Sequence, residues 1–579
     1  MALLGGGSIA QPVAVLRVCD SLGVPMIEHI DILNWRSIRR LRITPRPLCA
    51  LVGPNNAGKS NILSALDLVF GSRYPSEASF NDEDRCFGDR ALQPEICVRW
   101  TTAETPTPVD FSFHKGFDDP ALTLHKGNAS GGWSRGVSRE EWRRFSLLRI
   151  GTDRRVSQQA PTNRWSLLGR LLQDVDEELN ASSERLQDFE DALERLQHDV
   201  LQATPSFDVL RTALKRNMAE QLGHGIDDID VDLALKDPWS FYRLLHLIFV
   251  ECGMRMRGDQ GGAGLQSLLV IGIVRTYAAL ARGDRAVIAI EEPELFLHPQ
   301  GVRRLYRLLR ELAYPTDGRE PLQVFYTTHS ASMLDLAHFD EIVRVRKRIG
   351  PAGWGTDALQ VSVESVIEAQ KSRRRDSSEA ALRAHLGSWL DDRRSEALFA
   401  SAALLVEGPT EALCFPIFGR AAGIDLDEMN VAVVPVGGKA ALASVRDVLA
   451  SFEIPCFVVA DADGRCRPDQ VQRNLELNSV LIRQAGAQFD PFPPTTVSES
   501  VALWENDFET MLAEEVPRYR ELVRDVASEL GTSSKSPAAS ARCASILASE
   551  GRLPPSVLTV LRNVAELSMR DREAPATTD

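Results

Sequence analysis

Two short stretches of the sequence place acidic residues directly after apolar runs. One reads FVVADADG at 457–464, with Asp461 and Asp463, and the other reads VIAIEEPE at 287–294. A strand that ends in carboxylates commonly belongs to a metal site or to the catalytic acids of an ATPase. The chain has a single phosphate-binding loop, so only one of these strands is expected to serve a nucleotide.

The phosphate-binding loop lies in LCALVGPNNAGKS at 48–60, between an apolar strand and the helical pattern NILSALDLVF. In such a loop, backbone N–H groups surround the phosphates, Lys59 reaches the β and γ oxygens, and Ser60 holds Mg²⁺. The residues predicted to bind nucleotide here are Gly53, Asn55, Asn56, Gly58, Lys59 and Ser60.

The acids that complete a phosphate-binding site are predicted in AVIAIEEPELFLHPQ. Glu291 takes the position that orders magnesium, and Glu292 polarises the attacking water. After a further helix and strand, His329 in VFYTTHS is predicted to contact the γ-phosphate. Between the two halves, GDQGGAGLQSLLVIGI at 258–273 places glycines before an apolar helix, whose N-terminus could bind nucleotide held by a partner subunit.

The FVVADADG strand belongs to a second α/β pattern. The strand ALLVEG ends in Glu407, and Glu411 follows four residues later in a helix. Because the carboxyl ends of parallel strands meet at one edge of a sheet, Glu407, Glu411, Asp461 and Asp463 are expected to cluster. Buried carboxylates repel one another unless a cation neutralises them, and oxygen ligands favour Mg²⁺ or Mn²⁺. A second metal centre is therefore predicted.

The bulk composition limits the class of protein. The chain has 579 residues, 44% of them hydrophobic and 25% charged, and a net charge of −14. It is long enough for two to four domains. Acidity weakens a nucleic-acid interpretation, although basic stripes at 34–46, 344–348 and 371–375 could be either local binding surfaces or solvated faces. Nine scattered cysteines without a CxxC pair, no long apolar stretch and no secretory start predict a cytoplasmic protein without a membrane span.

A helical segment at 165–222 interrupts the ATPase pattern. Apolar residues recur there at alternating steps of three and four, at Leu186, Phe189, Leu193, Leu196 and Val200. This spacing is typical of a helix-pairing seam, but two heptads are too short to stand alone in water. The seam is predicted to form a homodimer or a higher homo-oligomer, with packing inside its own domain as the alternative.

The motifs together resemble known families. GPNNAGKS, GGAGLQS, AIEEPELFLHPQ and TTHS resemble an ABC-type ATPase of the group that includes RecF and SMC proteins, which bind two ATP between two heads. The sequence departs from that pattern in having Glu291 where aspartate is usual, and Asp259 and Gln260 where serine is expected. The acids at 407–463 resemble those of a Toprim domain, the catalytic fold of topoisomerases, some primases and certain nucleases.

An ATPase followed by a Toprim domain resembles the OLD family of nucleases, which includes the nuclease of the Gabija anti-phage system. The resemblance implies that Asp507 and Glu509 join the metal site and that Lys535 stabilises the transition state. It also implies DNA as substrate, ATP and Mg²⁺ or Mn²⁺ as cofactors, a helicase-like partner protein and a role against phage. A topoisomerase would need a catalytic tyrosine in a separate domain, and only Tyr519 follows the acids.

The predicted fold is α/β: an ABC-type ATPase with a helical insertion, then a Toprim domain with a helical C-terminal extension. Two other functions stay open, a DNA-repair or chromosome-associated clamp with a non-cleaving Toprim module and a toxin-like RNase. The predicted segments are a disordered extension at 1–25, the ATPase at 26–160 and 226–370, the dimerisation insertion at 161–225, a linker at 371–395, the Toprim domain at 396–515 and its helical extension at 516–579.

Overall fold

The computed structural model describes residues 26–573 with gaps. Residues 1–25, predicted to be a disordered extension, lie outside the described residues, as do residues 574–579. The gaps are at 72, 102–107, 118–120, 129–131, 144, 146, 154–166, 197–198, 201–202, 223–237, 243–244, 246, 252, 281–286, 319, 351–352, 373–377 and 388–391.

An antiparallel sheet opens the described chain. Its first two strands pair with Ile30 opposite Ile43, as the alternating N-terminal pattern predicts. The apolar side chains of this alternation are buried against the rest of the ATPase half, while the charged ones face outward. The strands in spatial order are Ile38–Ile43, Met26–Trp35, Glu95–Thr101, Val109–Lys115, Leu122–Gly127 and Trp133–Arg135.

A mostly parallel sheet forms the centre of the ATPase half. The phosphate-loop strand Leu48–Val52 is buried throughout, and Gln323–Thr328 separates it from the acidic strand. The order therefore brings the phosphate loop, the EEPE motif and His329 to the same carboxyl edge. The strands in spatial order are Gly353–Gln360, Ile342–Gly350, Leu48–Val52, Gln323–Thr328, Val287–Glu291 and Leu147–Ile150, of which only the first pair is antiparallel.

Helices surround this sheet, and a separate group forms the insertion. The insertion helices are Leu167–Ala181, Ser183–Arg195 and Pro205–Leu222. The remaining elements of this half are the helices Lys59–Phe70, Arg139–Arg143, Pro238–Tyr242, Ala263–Leu280, Pro299–Ala313 and Val363–Ser372 and the hairpin strands Ile248–Glu251 and Met254–Arg257.

A second α/β unit follows, and with it the predicted fold class is confirmed. Its strands in spatial order are Val431–Pro435, Ala402–Val406, Cys456–Asp461, Val501–Trp504 and Thr496–Val497, with only the last pair antiparallel. The helices are Pro409–Ala421, Lys439–Ser451, Val471–Gln484 and Phe508–Glu515, and the C-terminal extension consists of Arg518–Leu530, Pro537–Ser549 and Pro555–Glu573.

The segment 371–395, predicted to be a linker, is helical over much of its described part. It contains the helix Glu379–Gly387 and leads into the helix Asp392–Glu396. Leu382 and Leu386, one turn apart, are fully buried, and the buried Arg394 donates to the carbonyl of Val436. The polar composition of the segment concealed this apolar helix face, because helical packing depends on spacing more than on average polarity.

One apolar core extends across both halves, including Leu48 and Val324 on the ATPase side and Leu405 and Val458 on the Toprim side. The described cysteines are all free thiols. None of the described helices is both long enough and apolar enough to cross a membrane.

Candidate functional site

The phosphate loop has the backbone shape that its glycines allow. Gly53 has φ +149°, and a Cβ there would lie 1.9 Å from the carbonyl oxygen of Val345. Gly58, with φ +111°, precedes the helix that begins at Lys59. Both positions are closed to other residues, because L side chains rarely adopt these angles and the space is already filled.

Lys59 is folded back onto this loop. Its Nζ donates to the carbonyls of Gly53 at 2.8 Å and Pro54 at 2.9 Å. Burial lowers the pKa of Lys59 to about 8, against the opposing attraction of Glu292 and Glu294. The loop's own carbonyls thus accept hydrogen bonds from the amine that is predicted to bind phosphate, and Asn55 and Asn56 form an exposed turn in the same loop.

Ser60 and Glu291 meet, as their motifs predict. Ser60 Oγ donates to Glu291 Oε2 at 2.6 Å. The other carboxylate oxygen accepts two hydrogen bonds from Arg149, at 2.7 Å from Nη2 and 3.0 Å from Nε. A hydroxyl and a carboxylate in contact are the hard oxygen donors that Mg²⁺ prefers, so the residues fit the ion. Arg149 was not among the predicted site residues; its only sequence signal is a single charge within the apolar strand LLRI.

Glu292 and His329 face each other at the strand ends. Glu292 has φ +45°, and its N–H donates to the Thr327 carbonyl at 2.9 Å. Its Oε1 lies 3.6 Å from His329 Nε2. Burial, and then the charge of Lys59, lowers the pKa of His329, which favours a neutral imidazole at pH 7. The Glu294 carboxylate accepts from the His329 N–H at 2.9 Å and so fixes this turn.

The glycine-rich segment precedes the helix Ala263–Leu280, as predicted. Asp259 is paired with Arg257 at 2.9 Å, and Gln266 donates to the Gly261 carbonyl at 2.7 Å. Its role toward a nucleotide on a partner subunit stays a prediction.

The second group of acids lies at the carboxyl edge of the Toprim sheet. Glu407 follows one strand and Asp461 ends its parallel neighbour, and the Asp461 N–H donates to Glu407 Oε2 at 3.2 Å. Glu411 is buried in the first turn of the next helix. Asp507 caps the helix that carries Glu509 in its first turn, and it accepts from the Thr510 N–H at 2.7 Å.

The electrostatics of this group favour a bound cation. Burial, followed by repulsion from Glu407 and Glu411, raises the pKa of Asp461 to about 9. Burial likewise raises the pKa of Glu411 to about 7, and it raises the pKa values of Glu407 and Glu509. Asp461 Oδ1 is buried without a hydrogen-bond partner among the described residues. Such an orphaned oxygen beside other carboxylates fits a divalent ion.

The acids are not yet arranged around one point. Over the described residues, no three Asp, Glu, His or Cys side chains converge closely enough to hold one ion as they stand. Coordination of a metal would therefore require side-chain rotations within the cluster.

Two lysines among the described residues contact this cluster. Lys535 Nζ lies 3.1 Å from Asp507 Oδ2, and its side chain is 73% exposed. That hydrogen bond raises the pKa of Lys535, and together with the bonds from Thr510 it outweighs burial and lowers the pKa of Asp507. Lys439 Nζ donates to Asp463 Oδ2 at 2.7 Å, and its side chain is only 5% exposed. Lys439 was not predicted; its sequence signal is the GGK that follows the strand VAVVP.

Two family models match the chain. The model described as overcoming lysogenization defect protein-like, TOPRIM domain, matches residues 398–463. The model described as AAA ATPase domain matches residues 26–107 and 133–334. The two matches lie on the two halves that carry the two sites.

Three nucleases from other sources are similar to this chain in sequence. The OLD nuclease of Thermus scotoductus is 32% identical over 495 residues, which are 80% of this chain and 89% of the relative. The Old nuclease of Escherichia phage P2 is 22% identical, over 76% of this chain and 77% of the relative. Endonuclease GajA of Bacillus cereus is more distant, at 22% identity over 41% of this chain and 36% of the relative. By its match to the Thermus relative over most of both chains, the chain belongs to the OLD nuclease family.

Proposed function

We propose that the protein is an ATP-binding, divalent-metal-dependent DNA endonuclease or nickase whose ATPase half regulates cutting by the Toprim domain. The observation that carries the proposal is the buried carboxylate of Asp461, which has an orphaned oxygen and lies among acids from neighbouring strand ends. A domain that only binds DNA gains nothing from mutually repelling buried carboxylates.

In hydrolysis of a phosphodiester, bound Mg²⁺ or Mn²⁺ would activate water and neutralise charge on the attacking and leaving oxygens. The residues that would hold the ions are Glu407, Glu411, Asp461, Asp463, Asp507 and Glu509. Asp461 and Glu411 must give up their protons to do so, because a protonated carboxyl is a poor ligand. Lys535 would donate to the phosphoryl oxygens as negative charge builds up on them.

Water, and not a protein side chain, is the proposed nucleophile. Tyr519 is the only tyrosine after the acids, and it is 2% exposed. Its hydroxyl lies 3.1 Å from Ser540 Oγ, and burial raises its pKa above the usual value. A buried phenol with a raised pKa is a poor nucleophile, which argues against the covalent chemistry of a topoisomerase.

DNA would approach along the loop that follows Asp463. Arg465 and Arg467 are exposed there and have no side-chain partner within the described residues. Since the whole chain carries a net charge of −14, local cations of this kind are needed to draw a polyanion to an acidic centre.

ATP is proposed to bind at the phosphate loop, with Glu292 as the residue that polarises water for its hydrolysis. A cavity of about 370 Å³ lined by Ser37, Phe87, Lys347, Trp354 and Gly355 would receive the base. Ser37 Oγ lies 2.7 Å from Thr356 Oγ1, which donates to the Ala57 carbonyl in the loop at 2.9 Å, so the cavity adjoins the phosphate site.

The proposed regulation has a physical support in the strand Ile342–Gly350. This strand pairs with the phosphate-loop strand, placing Arg344 opposite Val52. The buried Arg344 donates to the carbonyl of Phe452 at 2.9 Å in the Toprim half. The strand Ile342–Gly350 thus contacts both the strand that leads into the phosphate loop and the Toprim half.

A homodimer is part of the proposal. Leu196 and Val200 of the predicted seam are 44% and 54% exposed, while Phe189 contacts Phe241 of the same chain. The exposed apolar side chains of Leu196 and Val200 are therefore proposed to pack against a second copy of the chain. A helicase-like partner and a role against phage are the biological part of the proposal and rest on the family resemblance.

The test is cleavage of supercoiled plasmid and of RNA with Mg²⁺ or Mn²⁺, with and without ATP. We expect wild type to nick or cut plasmid and Asp461→Ala to lose at least about 100-fold of this activity, because losing even an outer-shell partner of a metal ligand costs about 10- to 100-fold. Asp469→Ala, an exposed acid on the same loop, is the control. An uncut plasmid would favour the clamp, and cleavage of RNA alone would favour the RNase.

A further inference from the structure

We propose that Lys439 is the built-in counter-cation of the acidic centre: its ammonium competes with a divalent ion for Asp463 and thereby sets the metal affinity. The proposal rests on the proposed function only in taking the acidic centre as a metal site. Lys439 is a positioning residue in this role, because it acts through the carboxylate that it holds.

Lys439 makes hydrogen bonds to two of the acids. Its Nζ donates to Asp463 Oδ2 at 2.7 Å, and its backbone N–H donates to the carboxylate of Glu407. Asp463 follows the central strand and Glu407 the neighbouring one, so a single residue bridges two adjacent strand ends. An ammonium in contact with Asp463 takes up a carboxylate oxygen that a metal ion would also use.

The glycines before Lys439 fix where its side chain starts. The N–H groups of Gly437 and Gly438 both donate to the Glu407 carbonyl at 3.1 Å. Gly438 has φ +121°, an angle that L side chains rarely adopt. The helix begins at the very next residue, so the lysine enters the acidic cluster from a rigid turn.

Burial makes the contact consequential. The side chain of Lys439 is 5% exposed, whereas that of Lys535, which also contacts the cluster, is 73% exposed. A buried charge without a partner is costly, while an exposed one is solvated and screened. The Asp463 side chain is 41% exposed, so it is the buried ammonium of Lys439 that needs this ion pair, and a divalent ion has to compete with it for the carboxylate.

The experiment compares Lys439→Met with Lys439→Arg by two measurements made without DNA. The first is Mn²⁺ binding followed by electron paramagnetic resonance, and the second is thermal unfolding in EDTA and in saturating Mn²⁺. We expect Lys439→Met to bind Mn²⁺ about tenfold more tightly, because a competing positive charge is gone. It should unfold at a lower temperature in EDTA and regain most of the loss in Mn²⁺, and Lys439→Arg should resemble wild type.

Arg473→Met is the matched control, since it removes one exposed positive charge from the helix that follows the aspartates. Its Mn²⁺ affinity should equal that of wild type. Unchanged or weaker Mn²⁺ binding by Lys439→Met would overturn the proposal, as would a loss of stability equal in EDTA and Mn²⁺.

If Lys439→Met does not fold in EDTA, the double variant Lys439→Met with Asp463→Asn decides. The proposal predicts that the double variant folds, because removing the Asp463 carboxylate lowers the repulsion among the acids that Lys439 had offset; a double variant that also stays unfolded contradicts it. If the wild-type protein does not cleave plasmid, the proposed function is refuted. The Mn²⁺ binding and unfolding measurements would still test the role of Lys439.

Discussion

Arg149 holds the carboxylate of Glu291 through two hydrogen bonds to one oxygen, at 2.7 and 3.0 Å. The other oxygen of Glu291 receives the hydroxyl of Ser60 at 2.6 Å. A glutamate has one more methylene than the aspartate that is usual in this position of the ATPase pattern. The guanidinium fixes this longer side chain so that it meets Ser60.

We predict that Arg149→Met destabilises the protein by about 1–3 kcal/mol, because Glu291 is 7% exposed and would lose its charged partner. The loss should be smaller with Mg²⁺ and ATP, since the ion would then neutralise Glu291. Thermal unfolding with and without Mg²⁺-ATP measures the loss of stability and how far the ligands reduce it. Arg40→Met, at an exposed arginine, should change neither, and an Arg149→Met protein as stable as wild type would show that the pair is only incidental.

The sequence made the meeting of Ser60 with Glu291 predictable, since each residue belongs to a local motif and parallel strands end at one edge. Arg149 could not be found in this way, because a lone arginine in the strand LLRI does not indicate its partner 142 residues away. Lys439 was missed for a related reason: GGK before an apolar pattern reads as an ordinary helix start. In both cases, the sequence did not reveal which distant carboxylate the basic side chain pairs with in the folded protein.

The same reasoning explains the segment around Leu382. Its charged flank KSRRRDSSEA suggested a connector, yet Leu382 and Leu386 pack into the core that the two halves share. The placement of Glu407, Asp461 and Asp463 at one sheet edge, with Glu411 one helical turn further on, was predictable because it follows from strand order and helix spacing. How closely their side chains approach one another depends on the rotamers, and the spacing of residues in the sequence does not predict rotamers.

The second prediction concerns pH and the stability of the protein in EDTA. The pKa of Asp461 is raised from 3.8 to about 9 by burial and by neighbouring acids, so the folded state holds the proton more tightly than the unfolded chain. The stability it contributes is fully present below pH 4 and is lost as pH rises through about 9. Between pH 6 and 9 the unfolding temperature should therefore fall.

Asp461→Asn should reduce the slope of this pH profile, because the amide does not ionise, and the slope that remains below about pH 7 belongs to Glu411, whose pKa burial raises to about 7. Saturating Mn²⁺ should flatten it as well in wild type, since the ion stabilises the carboxylate form. Unfolding curves collected at half-unit pH steps would test both, and an equal slope in Asp461→Asn and wild type would contradict the assignment of the slope to this residue.

The third prediction addresses DNA binding beside Asp463. If Arg465 and Arg467 each neutralise a phosphate, the double Gln variant should weaken DNA binding and reduce the slope of log affinity against log salt by about 2. Fluorescence anisotropy with labelled DNA in Ca²⁺ measures the slope. Arg473→Gln and Arg483→Gln, on the following helix, form the control pair and should keep the wild-type slope; an unchanged slope in the Arg465 and Arg467 variant would exclude these contacts.

The fourth prediction concerns the insertion. Leu193→Asp with Leu196→Asp should convert a homodimer into a monomer, because two charges would enter the apolar seam. Light scattering measures the mass, and circular dichroism checks that the helices remain. Gln187→Asp with Ala192→Asp adds the same two charges at exposed positions of the same helix and should stay dimeric. A mass that does not change in the seam variant would refute the dimer seam.

The last prediction tests how the ATPase half would control cutting. Arg346 and Arg348 both contact Glu453 Oε2, at 2.5 and 2.6 Å. Glu453 lies just beyond the helix Lys439–Ser451, whose first residue holds Asp463. Arg346 and Arg348 belong to the strand Ile342–Gly350, which packs against Gly53 of the phosphate loop. A shift of this strand would therefore move the C-terminal end of the helix that begins at Lys439.

Glu453→Gln should reduce the effect of ATP on plasmid cleavage about fivefold or more, from the lower end of the usual coupling between sites upward, while cleavage without ATP stays near wild type. Asp357→Asn is a matched control, because Asp357 lies 3.5 Å from both Arg346 and Arg348 but belongs to the ATPase half. It removes a similar charge without cutting the link between halves and should keep the full ATP response. If Glu453→Gln responds to ATP as wild type does, the coupling runs elsewhere; if both variants lose the response, the charge of the strand matters and the link through Glu453 does not.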